Sequence, residues 1–430
     1  MAIIVMTTYS LLVVVVVFLS SLLLLISPRL QYIQAQSQAT QGVVAADADA
    51  DVDAATRSKR NKCNNRKKKK MTKTNILLLL TDDQDVELGS FNTKEYMPMV
   101  HSLLREQGVT FEHGAFVHTP VCCPSRSSLL TGRYLHHGAL AHNNSIEGNC
   151  YGGKWKEWTE PNDTFAVHAK AAGYTTLYAG KYLNQYHGYN TTHPESSSIP
   201  KGWDYWYGLE GNSRYYNYTI VEQRPSPNDA QVIGAAASDP TILLHKHGDT
   251  YPDDYLPLVL QNYSLEKIAL LPEPWLAVIA WPTPHGPFTP EPKYSQDYPD
   301  VQAPHGVETP NYNASTASQQ QKHWLLRQLG IITNRTAHRI DNIYRNRLRA
   351  LKTVDNHVGK LVDLLGGGGG VTNNTAAAEA DDDVEEKARS VSSMLDRTVI
   401  IYTSDNGFQF GQHRLAIDKV RTRRFYSLFF

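Results

Sequence analysis

The sequence predicts an α/β fold in which helices flank a mostly parallel central sheet. Short, uninterrupted apolar runs, typical of strands buried on both faces, occur at residues 75–80, 175–180, 275–281 and 398–404. Helical patterns lie between these runs, at residues 97–107, 164–172 and 337–365. Each run is followed at once by polar residues, and ligand sites of open α/β sheets form at the carboxyl ends of the strands. We therefore expect one site at that edge of the sheet.

The first 39 residues are predicted to direct the chain into the secretory pathway. An apolar run at residues 11–26, with small residues after it, is typical of a cleaved signal peptide. An uncleaved membrane anchor is the alternative, because no Lys or Arg precedes the run and residues 3–26 are long enough to span a bilayer. Either segment delivers the chain to the lumen, so we expect an extracellular, lysosomal, vacuolar or Golgi location.

Residues 40–73 are predicted to be a low-complexity linker, acidic at first and then basic. The basic cluster from Arg57 to Lys70 has no interleaved aromatic residues, which favours a solvated linker over a nucleic-acid surface. The whole chain has 42 basic and 42 acidic residues, so we expect no nucleic-acid partner. The folded domain is expected at residues 74–419, interrupted by a Gly-rich and acidic insertion at residues 366–393.

The predicted domain is rich in N-x-S/T sequons, the acceptor sites of N-glycosylation. Eight occur, at Asn143, Asn162, Asn190, Asn217, Asn262, Asn313, Asn334 and Asn373. Their spread along the domain favours a glycoprotein of the secretory lumen.

The chain has four cysteines, which are too few for a disulfide scaffold. Cys150 pairs with Cys123 or with no partner. A zinc site at Cys122 and Cys123 is disfavoured, because no CxxC or HxxxH pair accompanies them.

Two pairs of oxygen donors follow two of the predicted strands. Asp82 and Asp83 come after the run at residues 75–80, and Asp405 and Asn406 come after the run at residues 398–404. Carboxylate and amide oxygens are ligands that hard divalent cations such as Ca²⁺ prefer. A lone Asp-Asp pair is usually a turn or a helix cap, but the second pair favours a metal site.

Residues 122–133 match the pattern C-x-P-S-R-x-x-x-L-T-G-R. This pattern resembles the signature of type I sulfatases. The resemblance implies an alkaline-phosphatase-like sandwich and hydrolysis of sulfate esters. It also implies that the formylglycine-generating enzyme of the endoplasmic reticulum oxidises Cys122 to Cα-formylglycine. We expect a helix at residues 125–131, with Cys122 just before its N-terminus, where an anion is favoured. Without the motif, Cys122 would be read as an ordinary buried thiol.

The resemblance extends to about Lys419 and assigns further roles. Arg126 contacts the catalytic group, and Lys181 and Lys419 neutralise the sulfate oxygens. His285, with or without Lys181, protonates the departing alcohol. The implied ligands of one Ca²⁺ are Asp82, Asp83, Cys122, Asp405 and Asn406. In the implied mechanism a hydroxyl of the hydrated formylglycine attacks sulfur, and the second hydroxyl then allows sulfate to leave.

Several segments look like the N-acetylglucosamine-6-sulfatase and heparan endosulfatase branch of this family. They cover residues 119–126, 180–184, 200–203, 212–218 and 284–290. The implied substrate is a 6-O-sulfated N-acetylglucosamine unit in a glycan. Trp203 and Trp206 either stack on sugars or pack in the core.

The similarity stops after Lys419. Residues 420–430 are basic and then aromatic, without the Arg-x-x-Tyr-Glu segment of the relatives, so we expect an aberrant tail and a missing C-terminal subdomain. Three alternatives follow: an arylsulfatase-like enzyme, a phosphate or phosphonate ester hydrolase of the same superfold, and an inactive glycan-binding pseudoenzyme. Cys122 in an intact C-x-P-S-R favours sulfate, because the phosphate enzymes usually present Ser or Thr.

Overall fold

The computed structural model describes residues 3–5, 73–88, 94–111, 115–137, 140–188, 199–223, 242–305, 309, 311–368, 393–417 and 419. Apart from Ile3–Val5 and residue 73, the predicted targeting segment and linker lie outside these residues. Most of the predicted insertion and the whole predicted tail also lie outside them. Within the described ranges, no helix is both long and apolar enough to cross a membrane.

Nine strands within the described residues form one sheet. They are β1 (Ile3–Val5), β2 (Asn75–Thr81), β3 (Val109–Thr110), β4 (Thr175–Lys181), β5 (Tyr205–Leu209), β6 (Tyr218–Gln223), β7 (Ile242–His247), β8 (Trp275–Ala280) and β9 (Thr398–Ser404). Their order across the sheet is β3-β1-β9-β2-β8-β4-β5-β6-β7. The five strands from β9 to β5 are parallel, and both edges of the sheet are antiparallel.

The register brings the carboxyl ends of the central strands to one edge. Thr81 of β2 lies opposite Ser404 of β9, and Gly180 of β4 lies opposite Ala280 of β8. Gly180 has φ of 113°, and a Cβ there would lie 2.0 Å from the carbonyl oxygen of Ala280. Only glycine allows β4 to approach β8 this closely. The next residue, Lys181, ends β4 at the same edge of the sheet.

Helices of the described residues cover the sheet and connect its strands. The α-helices are α1 (Cys122–Thr131), α2 (Glu160–Asp163), α3 (Phe165–Ala171), α4 (Leu256–Ile268), α5 (Thr316–Gln320), α6 (Trp324–Arg327) and α7 (Asn334–Leu365). The π-helices are Val100–Arg105 and Trp155–Thr159, and the 3₁₀ helices are Val86–Leu88, Pro292–Tyr294 and Leu395–Arg397.

Alternate residues of the central strands face two separate cores. In β2, Leu77 and Leu79 pack in the core that includes the apolar side of α7. Leu78 and Leu80 point the other way, into the core that holds Leu130 of α1. Side chains of a strand alternate between the faces of a sheet, so a strand buried on both faces must be apolar throughout. The sheet therefore lies between two helical layers, as the sequence predicts.

All four predicted strands are present, and the three helical patterns correspond to Val100–Arg105, α3 and α7. The helix predicted at residues 125–131 begins three residues earlier, at Cys122. Pro124 does not prevent this, because the first-turn N–H groups of a helix have no intrahelical acceptor.

Candidate active site

Four buried polar side chains lie where β2 and β9 end. Asp82 and Asp83 follow β2, Asp405 and Asn406 follow β9, and each is at most 3 % exposed. The Asp405 N–H donates to the carbonyl of Thr81 at 3.1 Å, and the Asp83 N–H donates to Oδ1 of Asp405 at 3.0 Å. Nδ2 of Asn406 donates to Oδ1 of Asp83 at 2.7 Å. The structure thus brings together the two predicted pairs of oxygen donors.

Cys122 is the first residue of α1 and is fully buried. Its Sγ lies 3.5 Å from Oδ1 of Asp82 and 2.7 Å from Nζ of Lys419. Cys123 turns away from this site and forms a disulfide with Cys150, so Cys122 is the free cysteine of the described residues. This pairing is one of the two alternatives left open by the sequence.

The start of α1 is tied to the strand ends by hydrogen bonds. Oγ of Ser125 donates to the carbonyl of Asp405, and the Cys123 N–H donates to Oδ1 of Asn144 at 2.9 Å. The positive end of the helix dipole therefore lies beside the carboxylates of the site. This placement suits an anionic ligand at residue 122.

Three cations predicted for the site surround the carboxylates. Nε of Arg126 donates to Oδ2 of Asp405 at 2.8 Å. Nζ of Lys181 donates to Oδ2 of Asp82 at 2.5 Å, and Nζ of Lys419 donates to Oδ1 of Asp83. Lys181 and Arg126 are essentially unexposed. Buried charges of one sign are stable only beside charges of the other, so the three cations balance the three carboxylates.

His285 lies at the more open side of the site, with its side chain 21 % exposed. Its Nδ1 lies 2.9 Å from the carbonyl of Gly286, which can only accept a hydrogen bond, so Nδ1 carries a proton. Nε2 lies 3.8 Å from Oδ2 of Asp83 and faces the site. The Tyr215 hydroxyl donates to the His285 carbonyl at 3.0 Å and fixes the backbone of this loop.

The pKa values of the acidic groups in the site are shifted in different directions. Burial opposes ionisation of Asp82, but the charges of Lys181, His285 and Arg126 prevail and hold its pKa well below the usual range. Burial, and then the charge of Asp82, raise the pKa of Asp405. The pKa of the Cys122 thiol is raised to about 12, first by burial and then by the charge of Asp82.

Two residues at this site were not assigned to it from the sequence. Oγ of Ser213 donates to Oδ2 of Asp82 at 2.6 Å and lies 3.0 Å from Nζ of Lys181. Nη2 of Arg347, from α7, donates to the carbonyl of Asp83 at 2.5 Å. Ser213 lies in the segment at residues 212–218 that resembles the family branch, but that resemblance gave it no role in the site. No sequence pattern marks Arg347, because it reaches the site from a distant part of the chain.

The donor set fits a hard cation. Ligand atoms of Asp82, Asp83, Cys122 and His285 lie within 4.8 Å of one another. Oδ1 of Asn406 is buried and has no hydrogen-bond partner among the described residues, and such an orphaned oxygen is costly unless a cation binds it. Asp405 is adjacent, and each of its oxygens accepts one hydrogen bond, from the Asp83 N–H or from Arg126, which leaves a lone pair on each oxygen for a cation.

The site also holds an orphaned donor. Nη2 of Arg126 is buried, lies 4.0 Å from Oδ1 of Asp82 and has no hydrogen-bond partner in the part of the chain that the structure describes. An unpaired guanidinium N–H beside residue 122 is suited to an oxyanion. The described site therefore has one buried acceptor suited to a cation, Oδ1 of Asn406, and one buried donor suited to an anion, Nη2 of Arg126.

Other residues, near the site or singled out in the sequence, have structural surroundings. Gln84, next to Asp83, accepts hydrogen bonds from Thr81 and Tyr402, so its role is structural. Trp203 and Trp206 are buried in an aromatic cluster with Tyr178, so they pack in the core and are not exposed for stacking on sugars.

Comparison with known proteins agrees with this fold. The Sulfatase family profile matches residues 74–369, and the chain belongs to this family. Human N-acetylglucosamine-6-sulfatase is 38 % identical over 347 residues, covering 80 % of this chain and 53 % of that protein. The extracellular sulfatase SULF-1 homolog of Drosophila melanogaster is 35 % identical over 80 % of this chain and 26 % of its own length. The chain thus spans about half the length of the N-acetylglucosamine-6-sulfatases that it matches.

Solved structures support the fold. A protein in complex with its substrate D-glucosamine-2-N,6-O-disulfate has a TM-score of 0.50 at 17 % identity, covering 80 % of this chain and 68 % of that one. A phosphonate monoester hydrolase from Silicibacter pomeroyi has a TM-score of 0.51 at 16 % identity, covering 81 % and 65 %. The alkaline-phosphatase-like fold is therefore confirmed, and it is shared by enzymes that act on different esters.

Proposed function

We propose that this chain hydrolyses sulfate esters of a glycan after Cys122 has been converted to Cα-formylglycine. The observation that supports this most is the position of Sγ of Cys122, between Oδ1 of Asp82 and Nζ of Lys419 at the start of α1. The substrate that we propose is 6-O-sulfated N-acetylglucosamine. The N-acetylglucosamine-6-sulfatases at 36–38 % identity support this choice.

We assign one Ca²⁺ to Asp82, Asp83, Asp405, Asn406 and residue 122. The orphaned Oδ1 of Asn406 and the clustered carboxylates support this assignment. Bound Ca²⁺ supplies positive charge that offsets the negative charge developing on the sulfate oxygens. The hydrated formylglycine supplies a nucleophilic hydroxyl and a second hydroxyl whose ionisation releases sulfate.

The side chains of the site bind and orient the ester. Lys181 and Lys419 provide ammonium groups for the sulfate oxygens, and the unpaired Nη2 of Arg126 provides an N–H group at residue 122. His285 acts as the general acid toward the leaving alcohol, because its Nε2 faces the site while Nδ1 is held by Gly286.

The chemistry of residue 122 requires a partner and a compartment. We propose that the formylglycine-generating enzyme modifies Cys122 in the endoplasmic reticulum. The chain would then act in the secretory pathway, in an extracellular, lysosomal, vacuolar or Golgi lumen. The predicted N-terminal targeting segment and the eight sequons support this route.

The proposal is tested with protein expressed in a secretory host that makes formylglycine. The peptide containing residue 122 is examined by mass spectrometry, and turnover is measured on a chromogenic aryl sulfate and on 6-O-sulfated N-acetylglucosamine. We expect C122A to abolish turnover and K181A to lower kcat/KM by at least about 100-fold. K170A, which removes an exposed lysine paired with Asp204, is the matched control and should keep full activity.

Each of the three alternative functions predicts a different assay result. Turnover of aryl phosphonate or phosphate in preference to sulfate would identify a phosphate-type ester hydrolase. Turnover of the aryl sulfate without the glycan would identify an arylsulfatase-like enzyme. Binding of the sulfated glycan by a folded, formylglycine-containing protein without turnover would identify a pseudoenzyme.

A further inference from the structure

Trp158 exposes a large aromatic surface next to one of the sequons. It lies in the π-helix Trp155–Thr159 and has 68 % of its surface accessible. Its indole N–H donates to Oε2 of Glu157 at 3.3 Å. The nearby Lys154, Lys156 and Glu157 are all exposed and charged, so this helix does not present the continuous apolar patch that a protein partner requires.

Asn162 is held against the backbone of Trp158. It lies four residues later, in α2, which continues the π-helix without a break. Residues four apart share one face of a helix, and side chains lean towards its N-terminus. Nδ2 of Asn162 accordingly donates to the carbonyl of Trp158 at 3.1 Å. The nitrogen to which an N-linked glycan is attached therefore lies beside the residue that carries the exposed indole.

This arrangement is compatible with a glycan on Asn162. The residue is exposed, and Thr164 completes its sequon. Nδ2 has two hydrogens, so it can lose one to the sugar and donate the other to the Trp158 carbonyl. The bond that orients Asn162 thus survives glycosylation, and the first sugar begins within one residue's length of the indole.

The chemistry of the two groups is complementary. A pyranose ring presents C–H groups on its faces, and indole offers a flat apolar surface with one polar edge. Contact between them removes apolar area of both from water. Because the sugar is already tethered to Asn162, its contact with the indole costs little further translational freedom.

We propose that the first N-acetylglucosamine of a glycan on Asn162 packs on the indole of Trp158. This inference rests on the part of the proposed function that sends the chain through the secretory lumen, and it does not depend on hydrolysis of sulfate esters. It makes Trp158 a binding surface for the protein's own glycan. Asn262 has the half-buried Leu258 four residues before it, so its glycan lacks such a surface.

The test measures how accessible the first sugar is to the enzymes of the secretory pathway. The protein is secreted from mammalian cells, and glycopeptide mass spectrometry gives the ratio of glycans with and without fucose on that sugar, at Asn162 and at Asn262. An aromatic contact shifts an equilibrium about twofold to tenfold, so we expect W158A to raise the ratio at Asn162 by about that factor. The ratio at Asn262 should not change.

Two further variants are controls for this measurement. W158F keeps an aromatic ring at the same position, so its ratio at Asn162 should stay closer to that of the unsubstituted protein than the W158A ratio does. W324A removes another exposed tryptophan, with 51 % of its surface accessible, and should leave the ratio at Asn162 unchanged.

A second measurement is the melting temperature of the unsubstituted protein, W158A, N162Q and W158A/N162Q. Loss of the glycan should lower the melting temperature by about 1–3 °C more when Trp158 is present than when it is absent. The bond from Asn162 goes to the backbone carbonyl of residue 158, so N162Q affects that bond equally in both backgrounds. The proposal requires both this coupling and the change in fucosylation.

An unchanged ratio at Asn162 in W158A, an equal change at Asn262, or additive effects on the melting temperature would overturn the proposal. An unmodified Asn162 in a protein with a glycan on Asn262 would overturn it as well. If Trp158 is instead a contact between copies of the chain, W158A will lower the mass measured by analytical ultracentrifugation and leave the fucose ratio unchanged, which also overturns it. Absence of glycan from every sequon contradicts the secretory route, and with it the proposed function.

Discussion

Arg347 is a buried cation that holds the turn carrying the metal-ligand candidates. Its Nη2 donates to the carbonyl of Asp83 and, at 2.8 Å, to Oδ2 of Asp85, and the ring of Phe408 lies 3.9 Å from its guanidinium carbon. Asp83 has φ of 66°, in the left-handed region that non-glycine residues rarely adopt. Such a conformation persists only where its surroundings impose it. We infer that Arg347 is the main group that does so.

Replacing Arg347 by methionine should destabilise the protein strongly. The change removes the guanidinium that lies 2.8 Å from Oδ2 of buried Asp85, and loss of one partner of a buried pair costs about 3–5 kcal/mol. The free energy of unfolding, from urea denaturation, measures the loss. The double variant R347M/D85N should recover part of it, because it removes both charges of the Arg347–Asp85 pair. An R347M loss below about 1 kcal/mol would contradict the assigned role.

The residues that sequence alone identifies are those that follow a strand or belong to a dense motif. Asp82, Asp405 and Cys122 are of this kind, and the structure brings them together. Ser213 and Arg347 are 131 and 264 residues from their partners in the site. Ser213 lies in a segment that resembles the family branch, but that resemblance does not assign it to the site. Arginine is common on surfaces, and only the packing of α7 distinguishes Arg347.

At the scale of elements, the short helix α2 carries a buried acid. Oε1 of Glu160 accepts hydrogen bonds from Nε1 of Trp155 at 3.0 Å and from the hydroxyl of Tyr182 at 3.3 Å. The carboxyl is 4 % exposed and lies against an aromatic core. Burial raises its pKa to about 7, although both hydrogen bonds act in the opposite direction.

This acid should make the protein more stable in acid than at neutral pH. With its pKa raised, folded Glu160 holds its proton between pH 4.5 and about 7, where the unfolded chain has lost it. The resulting stability is fully present below pH 4.5 and is lost as pH rises through 7, by up to about 3 kcal/mol. E160Q keeps the acceptor oxygen and removes the proton equilibrium. The melting temperature of E160Q minus that of the unsubstituted protein should therefore increase as the pH rises from 4.5 to about 7. A difference that stays constant over this pH range would contradict the assignment.

One element that the sequence missed is β7, the strand at one edge of the sheet. The central strands are recognised because they are apolar throughout, as in β2 and β8. In β7 nearly all residues are half-buried and three of the six are His or Lys. A strand covered on one side only needs no continuous apolar run, so its sequence does not differ clearly from that of a loop.

For the molecule as a whole, the fold sets which sequons can carry a glycan. Asn162, Asn262 and Asn334 are exposed on helices of the described residues. Asn313 differs, because its Oδ1 accepts from the Ile332 N–H at 2.8 Å and its Nδ2 donates to the Ile332 carbonyl at 3.1 Å. A glycan attached to Nδ2 would leave this nitrogen one hydrogen and would crowd the loop that the two bonds close, whereas Asn162 has an exposed side chain with a single bond, to the carbonyl of Trp158.

In protein secreted from a eukaryotic host, we therefore expect glycans at Asn162, Asn262 and Asn334 and an unmodified Asn313. Glycopeptide mass spectrometry before and after enzymatic deglycosylation measures the occupancy of each site. N313Q keeps the acceptor oxygen and the donor group but displaces them by one methylene, so it should lower stability while leaving the glycan mass unchanged. Full occupancy of Asn313 would show that these bonds do not form during folding. Absence of glycan from all the other sites would contradict passage through the secretory pathway, on which the conversion of Cys122 depends.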